Sequence, residues 1–406
     1  MPLIEQRVRS IVGADGTIDV DEQGCVAVAP CSEEECALIL AAAHQESWRV
    51  RFDGRGRWIK PDAPTELAIS TRLLEGTTDL SPADMVLTAR AGTRLEDLQK
   101  AAADEGMWIA LDPPGATRSI GSIVATGTAG PLRNGFGIVK SRVLGLTLIT
   151  ADGRIVRVGG RVVKNVAGFN ITSLVVGSFG AFGLITSANI RLNALPTTDM
   201  TLIAQAPLAL LLNGAQEILS TGRTPAAFEL FSPKQNDSGL WTLAIRLLGS
   251  EATVSTDRAT IIASVPQIEF DQTDRESSCS FWASASTRAT ERSTTVRMGS
   301  QPSELARALA LMSEQLGDTT DGFVAVSVMA GVTRWSSDAS TQQLQNLRLL
   351  ASQQHWPVTL ERAPWEVRQT VGHYGAYREG IGKLVTSLRH VFDPHGGLVC
   401  PLDGTP

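Results

Sequence analysis

The segment from Asp112 to Leu192 constrains this chain more than any other, because glycine and small polar residues recur through it in a dense, ordered series. It opens with Asp112-Pro113-Pro114-Gly115-Ala116-Thr117 and continues through Ser119-Ile120-Gly121-Ser122. Ala125-Thr126-Gly127-Thr128-Ala129-Gly130-Pro131 and Arg133-Asn134-Gly135-Phe136-Gly137 follow. Residues without a bulky Cβ let backbone N–H groups come close to a ligand. Successive inward N–H groups form an anion-binding concavity, to which Arg133 would add a charge-assisted hydrogen bond. The expectation is a loop wrapped around a pyrophosphate. The competing explanation is that the glycines serve only turns and packing.

Two other nucleotide-binding patterns fail on spacing. A Rossmann fingerprint needs Gly-x-Gly-x-x-Gly between strand and helix. Gly54-Arg55-Gly56 supplies only its first half, with Ile59 where the third glycine belongs. Gly177-Ser178-Phe179-Gly180-Ala181-Phe182-Gly183 has the wrong period, and no Gly-x-x-x-x-Gly-Lys-Ser/Thr run occurs.

At 406 residues the chain is long enough for two or three domains. Cys25 to Ala29 reads as a strand, the segment from Ser32 to His44 as a helix with Ser32 and Glu35 as a capping box, and Trp48 to Phe52 as a second strand ending at Asp53-Gly54-Arg55-Gly56-Arg57. Short strands at 67–70 and 85–89 precede a helix that starts at Thr93, with Glu96 in the capping-box position, and stops at Gly106. Residues 112–137 read as loop. Strands return at 143–150 and 155–158 around Ala151-Asp152-Gly153, a short helix covers 171–177, and a strand covers 184–192. Pro196 marks a boundary. Beyond it, strands at 201–205, 227–231, 240–248, 294–298, 323–329 and 358–361 are interspersed with helices at 208–219, 252–264, 303–316 and 341–354. This pattern predicts a sheet with helices on one face. An amphipathic helix from Gly380 to Val391 closes the chain before Asp393-Pro394-His395-Gly396-Gly397.

The order of these motifs resembles the FAD-binding (vanillyl-alcohol-oxidase/PCMH-type) oxidoreductase family. The early turn Asp53-Gly54-Arg55-Gly56-Arg57-Trp58 is similar to the family's pyrophosphate turn, and Pro113 to Gly137 to its second glycine-rich segment. Arg161-Val162-Val163-Lys164-Asn165-Val166-Ala167-Gly168-Phe169-Asn170 and Leu174-Val175-Val176-Gly177-Ser178-Phe179-Gly180-Ala181-Phe182-Gly183-Leu184-Ile185-Thr186 resemble two further signatures. Within the family, the likeness is greatest to the FAD-binding subunits of glycolate oxidase. Phe169-Asn170 stands where the family usually has Tyr-Asp, Ser141 where it often has Asp, and Val399-Cys400-Pro401 where it has Asn-Pro-Gly.

The resemblance implies an α+β fold: a two-subdomain PCMH-type FAD-binding domain over 1–196, an α+β (ferredoxin-like) cap domain over 197–362, and a C-terminal helical segment, 363–406, returning to the FAD domain. It implies non-covalent FAD, since the early turn has no histidine. The contacts carried over are Gly54, Arg55, Gly56, Arg57, Trp58, Pro114, Gly115, Ala116, Thr117, Ser119, Gly121, Ser122, Thr126, Gly130, Arg133, Gly183 and Ile185. The implied activity is hydride or electron transfer in 2-hydroxy acid oxidation, beside a larger FAD-containing subunit and an iron-sulfur subunit. A stand-alone flavin oxidase of another substrate and a flavin-free scaffold remain as alternatives.

Oxidising a hydroxy acid needs a base at the hydroxyl and a cation for the carboxylate. The five histidines, His44, His355, His373, His390 and His395, form no pair at metal-ligand spacing, and no metal is expected. The cluster Arg362, Trp365, His373, Tyr374, Tyr377 and Arg378 holds both tyrosines of the chain. His373, Tyr374 and Arg378 are the substrate-side candidates, against ordinary packing as the alternative. Lys164 either offsets charge on a reduced flavin or caps a loop. A net charge of -6 argues against nucleic acid as the partner. Five scattered cysteines, an early sequence without an apolar signal region and the absence of a long apolar run predict a cytoplasmic chain with reduced thiols and no transmembrane segment.

Overall fold

The computed structural model describes residues 2–13, 15–21, 24–56, 58–59, 64–115, 117–161, 170–233, 239–318, 322–375 and 380–400. Its first sheet runs in the order Thr17–Val20, Val26–Ala29, Leu67–Ser70, Val50–Asp53, Leu398–Val399. Four of these strands pair in parallel, with an antiparallel hairpin at the Thr17 edge. Helix Glu33–Gln45 covers one face, burying Cys36, Ile39 and Leu40 in the same core as Val26, Val28, Leu67 and Ile69. Ser32 caps this helix by accepting from Glu35 N at 3.1 Å. The Glu35 carboxylate does not complete the expected box. It accepts instead from the amides of Gly13 and Cys31.

The second sheet is antiparallel, in the order Thr77–Ser81, Val86–Arg90, Leu184–Arg191, Val143–Ile149, Ile155–Gly159. The region expected to be a loop holds a helix over Ile120–Thr126 and a single turn over Arg133–Phe136. Ser119 caps the first of these, and Gly127 ends it in the left-handed region. Small side chains obscured it in the sequence, yet they are what let the helix lie against Ala91 (a Cβ on Gly121 would come within 2.7 Å of it). The expected box at Thr93 is absent. That helix spans Leu95–Asp104 without a side-chain cap, and the Thr93 hydroxyl serves Arg90 and Gly76.

The third sheet has eight strands, in the order Asp271–Gln272, Thr198–Ala206, Trp241–Gly249, Ala227–Phe231, Phe323–Ser327, Val332–Ser337, Thr294–Gly299, Val358–Arg362, and every recorded pairing is antiparallel. Alternation along the strands gives it two different faces. Leu202, Phe228, Leu230, Leu243, Val296, Val326, Trp335 and Leu360 share one core with helices Leu208–Ser220, Glu251–Ser264, Leu305–Leu316 and Thr341–Gln353. The other face carries Asp199, Thr201, Glu229, Arg246, Arg297, Arg334 and Glu361. Helices are therefore not confined to one face: Arg275–Arg288, absent from the sequence reading, packs on the polar side. There Trp282 Nε1 donates to Thr201 Oγ1 at 2.9 Å and Ser278 Oγ to Asp199 at 2.8 Å. Strand Val332–Ser337 and helix Trp365–Val371 were also unread. The five cysteines are free thiols. Among the described residues, no helix is long and apolar enough to cross a membrane.

Candidate functional site

Two cavities meet where the three sheets come together. The first has an empty volume of about 950 Å³, open solvent included. It lies beyond the carboxyl ends of three neighbouring parallel strands of the first sheet, where an α/β sheet presents its loops to ligands. Asp53 runs into the turn Gly54-Arg55-Gly56, Ser70 into Thr71, and Leu398–Val399 into Cys400, and all of these turns line it. Gly121, Ser122, Ala125 and Thr126 of helix Ile120–Thr126 face it from the second subdomain, together with Gly180, Gly183, Leu184 and Ile185.

Of the expected cofactor contacts, Gly54, Arg55, Gly56, Trp58, Gly121, Ser122, Thr126, Gly183 and Ile185 converge on this cavity. Arg57 and Ala116 lie outside the described residues. Arg55 contributes mainly backbone, because its guanidinium donates to Gly92 O at 3.0 Å and pairs with Glu75. The remaining expected contacts lie elsewhere. Gly115 donates to Ser286 of the helix on the third sheet (3.2 Å to Oγ), so Gly115 packs against that element, and Pro114, Gly115 and Thr117 do not line the cavity. Ser119 is spent on its helix cap. Gly130 is a packing glycine, since a Cβ there would sit 1.7 Å from Asp112 O. Arg133 lines the second cavity.

The sequence reading missed Arg118, which is 1% exposed. Its guanidinium lies 4.8 Å over the Trp58 ring, and one nitrogen donates to Thr126 Oγ1 at 2.6 Å. Among the described residues, Nε and Nη1 have no partner, nor does Trp58 Nε1. Burial pulls the Arg118 pKa down to about 9. A buried cation with orphaned donors beside a glycine-walled cavity matches an anionic ligand. The mixture of apolar wall and backbone-lined turns suits a large ring system joined to phosphates, and these residues fit FAD.

The second cavity, with an empty volume of about 650 Å³, shares Thr126 and Phe179 with the first. Its far wall is the polar face of the third sheet. Glu361 there accepts from Arg334 Nε and Arg297 Nε, each at 2.9 Å. Burial alone would raise this carboxyl, but Arg334 and Arg297 hold it below the ordinary glutamate range. His373 also lines the cavity. It is 1% exposed, with both ring nitrogens unpartnered among the described residues, and packs edge-on against Phe179 (4.2 Å) and Tyr374 (4.5 Å). Burial pushes it down to about 3, partly opposed by Glu361, so the imidazole is neutral at physiological pH. Tyr374 lines the same space and approaches Gly177 O with its hydroxyl at 3.5 Å.

Among the expected substrate-side residues, then, His373 and Tyr374 come together. Arg378, Tyr377 and Lys164 lie outside the described residues. Arg362 turns away to the carbonyls of Thr290 and Arg292, each at 2.7 Å. Arg297, Arg334 and Glu361 went unread. Their signal was a polar or charged residue at every second position of otherwise apolar strands, as in Thr295-x-Arg297, Arg334-x-Ser336 and Thr359-x-Glu361. Among the described residues, no group of three or more His, Cys, Asp or Glu side chains could hold a metal ion.

Comparison with known proteins agrees with this geometry. The family model for an FAD binding domain matches residues 25–159. The chain is 31% identical over 221 residues to glycolate oxidase subunit GlcE of Escherichia coli, covering 54% of this chain and 61% of that one. It is 34% identical over 182 residues to D-lactate dehydrogenase of Archaeoglobus fulgidus (44% and 41%), and 28% identical over 202 residues to glycolate oxidase subunit GlcD of Bacillus subtilis (48% and 43%). Each match spans less than two thirds of the relative's own length. The structure of an alkyldihydroxyacetonephosphate synthase superposes over 99% of this chain and 85% of that one, with a TM-score of 0.75 and 13% identity, and so shares the fold. Residues 25–159, which supply most of the first cavity's lining, match the model of an FAD binding domain, and over about half its length the chain is similar to glycolate oxidase subunits and D-lactate dehydrogenases.

Proposed function

We propose that this chain is an FAD-dependent oxidoreductase acting on the CH–OH group of a small 2-hydroxy acid such as glycolate. In this reading it works as one subunit of a glycolate-oxidase-type complex, in the cytoplasm, beside a larger FAD-containing subunit and an iron-sulfur subunit. Residues 1–196 serve as the flavin domain, 197–362 as the cap, and 363–406 as a segment returning to the flavin domain. The reading rests on one observation: a cavity that fits FAD and a smaller cation-lined cavity share a wall at Thr126 and Phe179. The similarity to glycolate oxidase subunits supports the choice of substrate class.

The turn at Gly54–Gly56, the face of helix Ile120–Thr126, and Gly183 and Ile185 would hold the cofactor non-covalently. When bound, FAD supplies the two-electron acceptor, while the protein supplies orientation and electrostatics. Arg334 and Arg297, held by Glu361, present fixed donors to a carboxylate. The neutral His373 has a free lone pair on one ring nitrogen and can accept a hydrogen bond from the substrate hydroxyl there, orienting it. Phe179, Tyr374 and the sheet face keep bulk water from that nitrogen.

A visible spectrum of the purified full chain tests this. The expected result is a band near about 450 nm from bound oxidised flavin, bleached anaerobically by glycolate, either alone or once the partner subunits are added. A colourless chain that takes up no FAD on reconstitution would overturn the proposal.

A further inference from the structure

We propose that Arg133 completes the carboxylate site of the second cavity, meeting from the flavin-domain side the anion of a small hydroxy acid that Arg297 and Arg334 face from the sheet. The inference rests on the functional reading above and adds to it the residue that sets specificity.

On the sheet wall, one carboxylate serves two guanidiniums. Glu361 Oε1 accepts from Arg297 Nε at 2.9 Å and from Arg334 Nη2 at 3.4 Å, and its Oε2 accepts from Arg334 Nε at 2.9 Å. That wall keeps an excess positive charge. Across the cavity stands Arg133, at the start of the single turn Arg133–Phe136. Its guanidinium makes no hydrogen bond or ion pair with any described residue. Burial, and repulsion from Arg334 and Arg297, pull it down to about 10 against the attraction of Glu229 and Glu361, so it stays charged at neutral pH. The three guanidiniums outnumber the carboxylates near them, Glu361 and the partly protonated Glu229, an arrangement that is unfavourable when partly desolvated and is relieved by a bound anion.

The second polar feature is the neutral His373 ring, aimed into the same cavity with neither nitrogen satisfied. An unpartnered polar side chain at 1% exposure costs free energy unless a ligand completes it. One anionic group for Arg133 and one hydroxyl for His373, on the lining of a single cavity, describe a 2-hydroxycarboxylate. The planar fork of arginine suits a carboxylate better than the point charge of lysine does. Arg133 also stands apart from the Arg297–Glu361–Arg334 lattice, so changing it leaves that lattice intact.

The test is calorimetric titration of the FAD-loaded full chain with oxalate, a non-reacting dicarboxylate, alongside ethylene glycol as a neutral probe and inorganic phosphate as a second anion. The flavin band is recorded for every sample. Wild type is expected to bind oxalate and not ethylene glycol. Arg133→Gln should weaken oxalate at least 10-fold with flavin content unchanged, and Arg133→Lys should fall between. Oxalate affinity within 2-fold of wild type in Arg133→Gln sinks the inference while leaving the flavin reading standing. So does ethylene glycol binding as well as oxalate, phosphate binding tighter than oxalate, or no oxalate binding by a yellow wild-type chain. Loss of flavin together with affinity would place Arg133 at the cofactor phosphates and reject its role here. A colourless wild type is the separate failure of the functional reading, and oxalate titration of that flavin-free chain still decides whether Arg133 binds the anion.

Discussion

Gly183 has φ +138°, and a Cβ there would lie 2.3 Å from Ile149 O in the paired strand. Gly183→Ala therefore meets both a disfavoured backbone and a clash with main chain that has no rotamer to move. Roughly 2–4 kcal/mol of stability should be lost in urea denaturation, together with weaker flavin retention, because Gly183 also lines the first cavity. Gly130 shows the limit of reading glycine from sequence. It sits inside the expected pyrophosphate loop, yet its missing Cβ makes room for Asp112. A short glycine motif looks the same whether it admits a ligand or a neighbouring backbone, and only three-dimensional proximity separates the two.

At the scale of elements, the parallel strand Leu398–Val399 brings the C-terminal segment back to Val50 and Arg51 and places Val399 and Cys400 in the cavity wall. Asp393 holds the bend before it. The carboxylate is 4% exposed and accepts from Gly397 N at 3.0 Å and Leu398 N at 2.8 Å. Asp393→Ala leaves two amides without their acceptor and should cost about 1–3 kcal/mol. Hydrogen exchange should show faster exchange at Val50, whose amide bonds to Gly397 O at 2.8 Å, with little change in the third sheet. Equal protection in the variant would show that the strand is held by pairing alone. The Asp393-Pro394-His395-Gly396-Gly397 run announced a turn in the sequence, but not that the next residues would join the first sheet. Helix Ile120–Thr126 went unread for a related reason. Gly, Ser, Ala and Thr carry little helix signal, and its formation depends on the Ser119 cap and the close fit against Ala91.

Across the whole molecule, the polar face of the third sheet points toward the flavin domain, and its buried charges are set by that packing. Glu229 is raised from 4.5 to about 7, chiefly by burial, against the Ser327 hydrogen bond and the nearby Arg334 and Arg133. One of its oxygens has no partner. A carboxyl whose folded pKa lies above its unfolded value favours the protonated folded state. Its contribution is fully present below about 4.5 and is lost as pH rises through about 7. Over that window wild type should lose on the order of 3 kcal/mol from this group. Glu229→Gln should flatten that part of the slope in urea melts at pH 5 and pH 8. Asp112, also raised to about 7 by burial, keeps its own slope in both proteins. An unchanged pH dependence in the variant would show that Glu229 ionises freely in the fold.

The sequence by itself determined the order of most of the longer strands and helices, the glycine-rich turns of an FAD-binding segment, and the return of alternating strands and helices after Pro196. These are local matters of side-chain period, turn chemistry and residue size, each written within a few neighbouring positions. Tertiary structure alone decided which glycines face a cavity, that Arg133 turns to the second cavity and away from the first, and that Arg297, Arg334 and Glu361 from three strands meet His373. The reason is physical. Charge pairing and desolvation act over a few ångströms of space, and residues more than two hundred positions apart, such as Arg133 and His373, share that space only once the sheets have packed.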